Sequence, residues 1–335
     1  MIPEQVPTWS VIDGSKLTHF MACPRKFFYE YILGWKPISP NHNLHFGMSF
    51  HLALEHIYDK WKKRGISGYL EGDLPEAFDI FLTEYRKKFP PEDDTSHGYK
   101  SPENVLRILA QYQDHYFDDN FEVIETEISG CVPIGTRSDG SEKEIYFRLD
   151  TVVKNKGKYD ILEHKTSTWR TDPWAASWPL SVQAGTGVHV LNCVYPMEEV
   201  KGITYNGFFF RAQPRFKKNG EPYANSGSGN EFLRVPIYVG DERMEWWLGM
   251  VNNWYDEVEN EMDVLSNETE DQNVMKSFPC STGACFDYGT QCAYYDLCCT
   301  NANPLQHVGQ MPAEFAVEHW DPRDADTDHV KVIDV

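Results

Sequence analysis

EIYFRLDTVVKNKGKYDILEHKT, residues 144–166, is the stretch on which the fold turns. Glu144 to Val153 and Lys158 to Thr166 are rich in β-branched and aromatic residues. Asn155-Lys156-Gly157 lies between them as a turn signal, so the two runs read as paired strands. Alternate residues of a strand share a face, which sends Glu163 and Lys165 the same way. Asp150 ends the first run and meets them if the strands pair. Two carboxylates beside one lysine suit a hard divalent cation, Mg²⁺ or Mn²⁺. Such a cation lowers the pKa of water, and the amine steadies charge growing on a phosphate. Burial beside Ile161 and Leu162 makes these charges costly unless a cation and partners compensate. An Asp followed by Glu-x-Lys also arises by chance in an ordinary salt-bridged strand, so the neighbours decide.

Upstream, the period is helical. Ser15 is placed to cap Lys16–Ala22, Cys23-Pro24 interrupts, and Arg25–Leu33 (RKFFYEYIL) restarts as an aromatic helix, giving a kinked pair. Gly47-Met48-Ser49-Phe50 leads into His51–Arg64, where Leu54, Ile57, Tyr58 and Trp61 recur at helical spacing. His51 then falls in the first turn, on one face with Glu55. Phe78, Phe81, Leu82 and Tyr85 mark a third helix, and Val105, Leu106, Leu109, Tyr112 and Tyr116 a fourth. Phe121–Val132 reads as a strand. Downstream, Val182–Val194 reads as a helix weakened by Gly185 and Gly187, and Ile203–Arg211 and Phe232–Val239 as strands. Lys217–Asn230, rich in Gly, Asn and Ser, is expected to be a mobile loop. Met244–Leu265 is a long amphipathic helix. Beyond Met311 the chain is acidic and proline-punctuated, and is expected to be disordered. No internal repeat is present.

The chain has 335 residues, 31 basic and 51 acidic, for a net charge of −20. That argues against coating duplex DNA with the whole surface and leaves room for a local basic groove. Lys60, Lys62, Lys63 and Arg64 cluster, as do Arg86, Lys87 and Lys88, and Arg211, Arg215, Lys217 and Lys218; singly, each reads as a solvated face. No apolar run of about 18 residues exists, which excludes a helical membrane span. The N-terminus lacks a basic region followed by an apolar run, so no secretory signal is expected. Cys280, Cys285, Cys292, Cys298 and Cys299 crowd together, with Cys23 near the N-terminus and Cys131 and Cys193 alone. Without a secretory signal this reads as a metal or iron–sulfur site before disulfides. Four thiolates fit tetrahedral Zn²⁺ or a [4Fe–4S] cluster equally well on count.

Cys23-Pro24-Arg25-Lys26-Phe27-Phe28-Tyr29, Gly47-x3-His51, Asp150, Glu163-x-Lys165, Gln183 and the C-terminal cysteines come in an order that resembles the PD-(D/E)XK nucleases of the RecB/AddB branch. More narrowly, it resembles the iron–sulfur members, the CRISPR-associated adaptation nucleases and their phage relatives. The resemblance spans residues 15 to 300; no one motif is specific, but their order and spacing are. It implies an α/β fold with a restriction-endonuclease-like core, a mixed central sheet flanked by helices. The expected segments are N-terminal helices over 1–35, a helical subdomain over 36–120, the core over 121–275, a cysteine-ligated staple over 276–310 and a tail over 311–335.

The resemblance also implies roles. His51, Asp150 and Glu163 become metal ligands, Lys165 the catalytic lysine, and Gln183 a residue beside the active site. The family's tyrosine four positions on is Gly187 here, with His189 nearby. A carbonyl of Ile161 or Leu162 is a candidate metal contact. Glu125, on the preceding strand, reads first as a solvent-facing residue, with an extra carboxylate as its alternative. Cys23, Cys285, Cys292 and Cys298 become [4Fe–4S] ligands; the long gap between Cys285 and Cys292 leaves Cys280 and Cys299 open as replacements. The implied activity is a Mg²⁺- or Mn²⁺-dependent DNA exonuclease acting on single strands or ends in recombination, repair or phage DNA processing. Its setting is the cytoplasm of a bacterial or phage-infected cell. A recombination, helicase or CRISPR-adaptation protein is the implied partner, and a catalytically weak DNA-binding or assembly module is the competing reading. The aromatics of residues 27–31 suit base stacking or, better, core packing. No Gly-x4-Gly-Lys-Ser/Thr loop is present, so the sequence offers no motor.

Overall fold

The structure, a computed structural model, describes residues 5–323 and 331–334 apart from 66, 170–171, 215–216, 219–220, 222–226 and 288–289. The strands are β1 Trp35–Pro37, β2 Glu122–Thr136, β3 Glu142–Asn155, β4 Lys158–Ser167, β5 Val200–Phe209, β6 Glu231–Ile237, β7 Phe315–Val317 and β8 Lys331–Asp334. The helices are α1 Gly14–Ala22, α2 Pro24–Phe27, α3 His42–Arg64, α4 Asp73–Tyr85, α5 Pro102–His115, α6 Asp172–Ala176, α7 Val182–Val194, α8 Asp241–Ser266 and α9 Tyr295–Thr300.

The hairpin forms where the turn signal puts it. Asn155 pairs with Lys158, and Lys156 and Gly157 between them both have positive φ, 50° and 78°. A two-residue turn of that kind matches the right-handed twist of the strands it joins. The register pairs Thr151 with Leu162, so Asp150 and Glu163 stand one step further along, side by side. The main sheet is mixed, in the order β6-β5-β4-β3-β2-β8. The β4–β5 and β2–β8 pairs are parallel and the rest antiparallel. The β4–β5 crossover runs through α6 and α7.

Helices cover both faces. On one, Phe46, Phe50, Ile57 and Phe81 pack with Val153, Leu162 and Phe208. On the other, α1, α7 and α8 pack on Leu149, Ile161 and Ile203. Ile161 and Leu162 thus serve opposite cores, as period two requires. The mixed sheet flanked by helices agrees with the expected class.

Several local expectations need correction. Asp13, not Ser15, caps α1: its Oδ1 accepts from the Lys16 N–H at 2.7 Å. α3 begins at His42, nine residues before His51, with Asn41 as cap. Gly47 does not break it, because buried Phe46 and Phe50 carry the apolar stripe through. His51 therefore sits mid-helix. The aromatics of 27–31 are core: Phe27, Phe28, Tyr29 and Tyr31 are all buried. The tail is ordered in part, since β7 pairs with β1 and β8 with β2, and Phe315 is buried. Residues 324–330, Arg215 and half of Lys217–Asn230 lie outside the described residues.

Gly185 is not a weak point of α7 but its packing site. A Cβ there would overlap the indole of Trp247, itself buried and donating from Nε1 to the Val182 carbonyl at 3.3 Å. Gly185→Ala is expected to cost about 1–3 kcal/mol by overpacking. Thermal unfolding would show it as a drop of several degrees; an unchanged midpoint would contradict this α7–α8 contact.

Candidate active site

The sheet and α7 bring Asp150, Glu163, Lys165 and Gln183 to one cleft, while His51 of α3 reaches Asp150 without lining it. Asp150 on β3 and Glu163 on β4 are 7% and 2% exposed. Asp150 Oδ1 lies 3.2 Å from His51 Nδ1, and its Oδ2 accepts the main-chain N–H of His164 at 2.6 Å. Glu163 Oε1 accepts from Lys165 Nζ at 2.8 Å and from Gln183 Nε2, on α7, at 2.6 Å. Glu163 Oε2 is buried and has no hydrogen-bond partner among the described residues. Asp150, Glu163, Lys165 and Gln183 all line a cleft of about 440 Å³.

One carboxylate was not legible in the sequence. Glu127 sits between Thr126, paired with Thr151, and Ile128, paired with Leu149, and so lies across from Asp150. Its φ is 45°, a left-handed conformation uncommon for a residue with a side chain. Ligand atoms of His51, Glu127 and Asp150 fall within 4.8 Å of one another, the one such group of His, Cys, Asp and Glu among the described residues. Glu125 instead pairs with Lys62 at 2.6 Å. A bulge between Val123 and Glu125 shifts the register of β2 here. Gly187 lies against Ile161, and His189 donates to the Pro133 carbonyl at 2.7 Å; His189 does not line the cleft.

The electrostatics leave this cluster short of positive charge. Burial pushes Glu163 up, and the Asp150 charge adds to it. Burial and the same charge push Glu127 well above its ordinary range. Burial would also raise Asp150, but the His51 charge and hydrogen bond hold it below the usual carboxylate range. Burial works against the His51 imidazolium, yet Asp150 outweighs it and pushes His51 up to about 9. Burial likewise opposes the Lys165 ammonium, and Glu163 with Asp150 raises it all the same. Two acids that resist ionisation beside one that is charged, with an unpartnered carboxylate oxygen, are the donor set and the charge deficit that a hard dication relieves.

The family model of the PD-(D/E)XK nuclease superfamily matches residues 11–298. The chain belongs to that superfamily. Membership implies a nuclease, DNA as its substrate and a divalent metal. No curated protein matches the chain. The crystal structure of SSO0001 is similar over 75% of this chain and 78% of its own, at 11% identity and a TM-score of 0.29, a likeness too loose to carry over anything about the site. No described helix is long and apolar enough to cross a membrane.

This PD-(D/E)XK nuclease steadies β4 from behind. His164, between Glu163 and Lys165, is buried, and burial lowers its pKa to about 3, which keeps the ring neutral. Its Nδ1 meets Asn206 Nδ2 at 3.1 Å, and Asn206 donates to the Tyr112 hydroxyl at 2.8 Å. Arg234 forks onto Asp119 at 2.7 and 2.6 Å and also donates to Tyr112. These residues are scattered from 112 to 234, so no local pattern announces them.

Six cysteines of this nuclease, Cys23, Cys280, Cys285, Cys292, Cys298 and Cys299, gather around the elbow between α1 and α2. Cys23 is buried there, and its Sγ accepts from the Ser281 N–H at 3.4 Å. Burial raises the Cys285 thiol, and Cys23, Cys292, Cys280 and Cys299 add to the rise. Burial also raises Cys298, with Cys280 next, while Arg25 opposes. Cys280 and Cys299 are exposed; Cys285, Cys292 and Cys298 are half-buried. Arg25 clasps the same segment, donating from Nε to the Phe278 carbonyl at 2.8 Å, and Tyr29 stacks on Tyr294 at 5.3 Å.

Proposed function

We propose that the protein is a Mg²⁺- or Mn²⁺-dependent deoxyribonuclease that works as an exonuclease on single strands and DNA ends, stapled by a [4Fe–4S] cluster. The buried, unpartnered Oε2 of Glu163 beside Asp150 carries this reading. A polar atom left without a partner at such depth costs on the order of 1–3 kcal/mol, and a cation removes the cost. His51, Glu127, Asp150 and Glu163 supply the nitrogen and oxygen donors. A dication held there activates water and neutralises phosphate charge.

The remaining work falls to the chain itself. Gln183 holds Glu163 Oε1 in place. Lys165, anchored on the same oxygen, lies beside the position of the phosphate and meets the negative charge that grows as water adds to phosphorus. One P–O bond forms and the opposite one breaks, leaving phosphate and hydroxyl ends. His164 and the Asn206–Tyr112–Arg234 network keep β4 from shifting while this happens.

The sulfur patch supports the cluster through its ligand count. The Cys285 thiol feels Cys23 and Cys292, and Cys298 feels Cys23, so these four sulfurs are neighbours beside the α1–α2 elbow. Four thiolates are the ligand set of a [4Fe–4S] cluster.

Mn²⁺ is expected to support degradation of linear single-stranded DNA to short products and to leave the same strand intact when circularised. Gel analysis of both substrates tests this. Equal cutting of the circle would make the enzyme an endonuclease, and no Mn²⁺-dependent cutting of either would remove the catalytic reading.

A further inference from the structure

The cleft is lined by more than the residues of the chemistry just described. Tyr146, Arg148 and Asp150 share one face of β3 and all line it. Alternate strand residues stand about 6.8 Å apart, close to one nucleotide step of an extended strand. Gly14, Ser15 and Thr18 of α1 line it too, as do Trp320 and Pro322. Arg148 is half-exposed and makes a loose ion pair with Glu127, Nε to Oε2 at 3.7 Å. Trp320 is 40% exposed although its edge is fixed: Nε1 donates to Asp13 Oδ2 at 3.2 Å. Lys36 Nζ sits 5.6 Å from its ring centroid and is itself tied to Glu318 at 2.7 Å. An indole held at its edge, 40% exposed and lining a cleft, is a platform.

We propose that this part of the cleft is a subsite for one unpaired strand, with Arg148 taking the phosphate next to the scissile one and Trp320, beside Tyr146, stacking an unstacked base. The inference deepens the nuclease reading and rests on it. Inside a duplex each base face is covered by its neighbours, so beyond the terminal pair an unpaired base is what offers a face to Trp320. The subsite therefore selects single strands and frayed ends, a preference that the cation site alone does not create. Base–aromatic stacking is sequence-tolerant, so no base preference is built in.

Equilibrium binding of a short oligothymidylate to the full chain, in EDTA so that nothing is cut, tests it. Trp320→Leu keeps apolar bulk without a ring and is expected to weaken binding about 5- to 150-fold, the range that loss of one base–aromatic stack gives. Trp320→Phe is expected to stay within about 3-fold of the wild type. Arg148→Met is expected to lower the slope of log affinity against log salt by about one. Blunt duplex binding should change little in the Trp320 variants. Wild-type affinity in Trp320→Leu, or an equal loss for duplex and single strand, overturns the subsite. If the wild type binds the oligomer through Trp320 yet never cuts with Mn²⁺, the nuclease reading fails and the subsite stands. If it cuts while Trp320→Leu binds normally, the reverse holds.

Discussion

Lys165→Ala is expected to cut single-stranded DNA roughly 10²- to 10³-fold more slowly than the wild type, the usual effect of removing one preorganised charge-stabilising group. The ammonium is held at 2.8 Å from Glu163, so it is aimed before substrate arrives and reorganises little in the reaction. Lys165→Arg is not expected to restore the rate, because a planar fork cannot replace a point charge in a site this closed. Glu163→Gln should also abolish metal-dependent cleavage, by removing the oxygen that has no partner. It should do so without destabilising the metal-free protein: burial and the Asp150 charge already work against ionised Glu163, so neutralising it relieves repulsion. A dead enzyme whose melting temperature is unchanged or higher is the signature of a site strained for function. Rate assays with Mn²⁺ and thermal melts in EDTA read both effects. Wild-type activity in Lys165→Ala would sink the catalytic assignment, and a large loss of stability in Glu163→Gln would make that residue structural.

The hairpin was legible because its evidence is local. Alternation, a Gly-containing turn and the Glu-x-Lys spacing all lie within 23 residues, and they fix where Asp150, Glu163 and Lys165 stand. The α1–α2 elbow at Cys23-Pro24 was legible for the same reason. What failed depended on contacts distant in sequence or on a broken period. Glu125 and Glu127 look alike to an alternation argument, and only the bulge after Val123, with the left-handed φ at Glu127, decides which one faces Asp150. Gly47 reads as a helix breaker until Phe46 and Phe50 are seen buried on either side of it. Gly185 reads as a weakness until Trp247, 62 residues on, takes the space where a Cβ would stand. The acidic tail has the composition of disorder, yet a three-residue strand with one buried phenylalanine pairs it to β1, which composition cannot register.

Cys23→Ala is expected to remove the visible absorbance of anaerobically purified protein together with a large part of its stability. A cluster joining Cys23 to Cys298 closes a loop of about 275 residues, and the chain-entropy model gives such a closure about 5 kcal/mol. The variant should still fold, because the same two segments are held by means other than sulfur. Arg25 bonds the Phe278 carbonyl, Phe27 stacks on Phe278 at 5.9 Å, and the Tyr294 hydroxyl donates to the Trp35 carbonyl at 2.6 Å. The unfolding free energy from denaturant titration should therefore fall by a few kcal/mol rather than vanish, with the N-terminal helices exchanging amide hydrogen faster than the sheet. Cys193→Ala, a half-buried thiol on α7 away from the patch, should leave colour intact and cost about 1 kcal/mol at most. Iron analysis separates a cluster from zinc, which is colourless. Full absorbance in anaerobic Cys23→Ala would show that the ligands are all C-terminal. The closure of the long loop, and the stability assigned to it, would then have no basis.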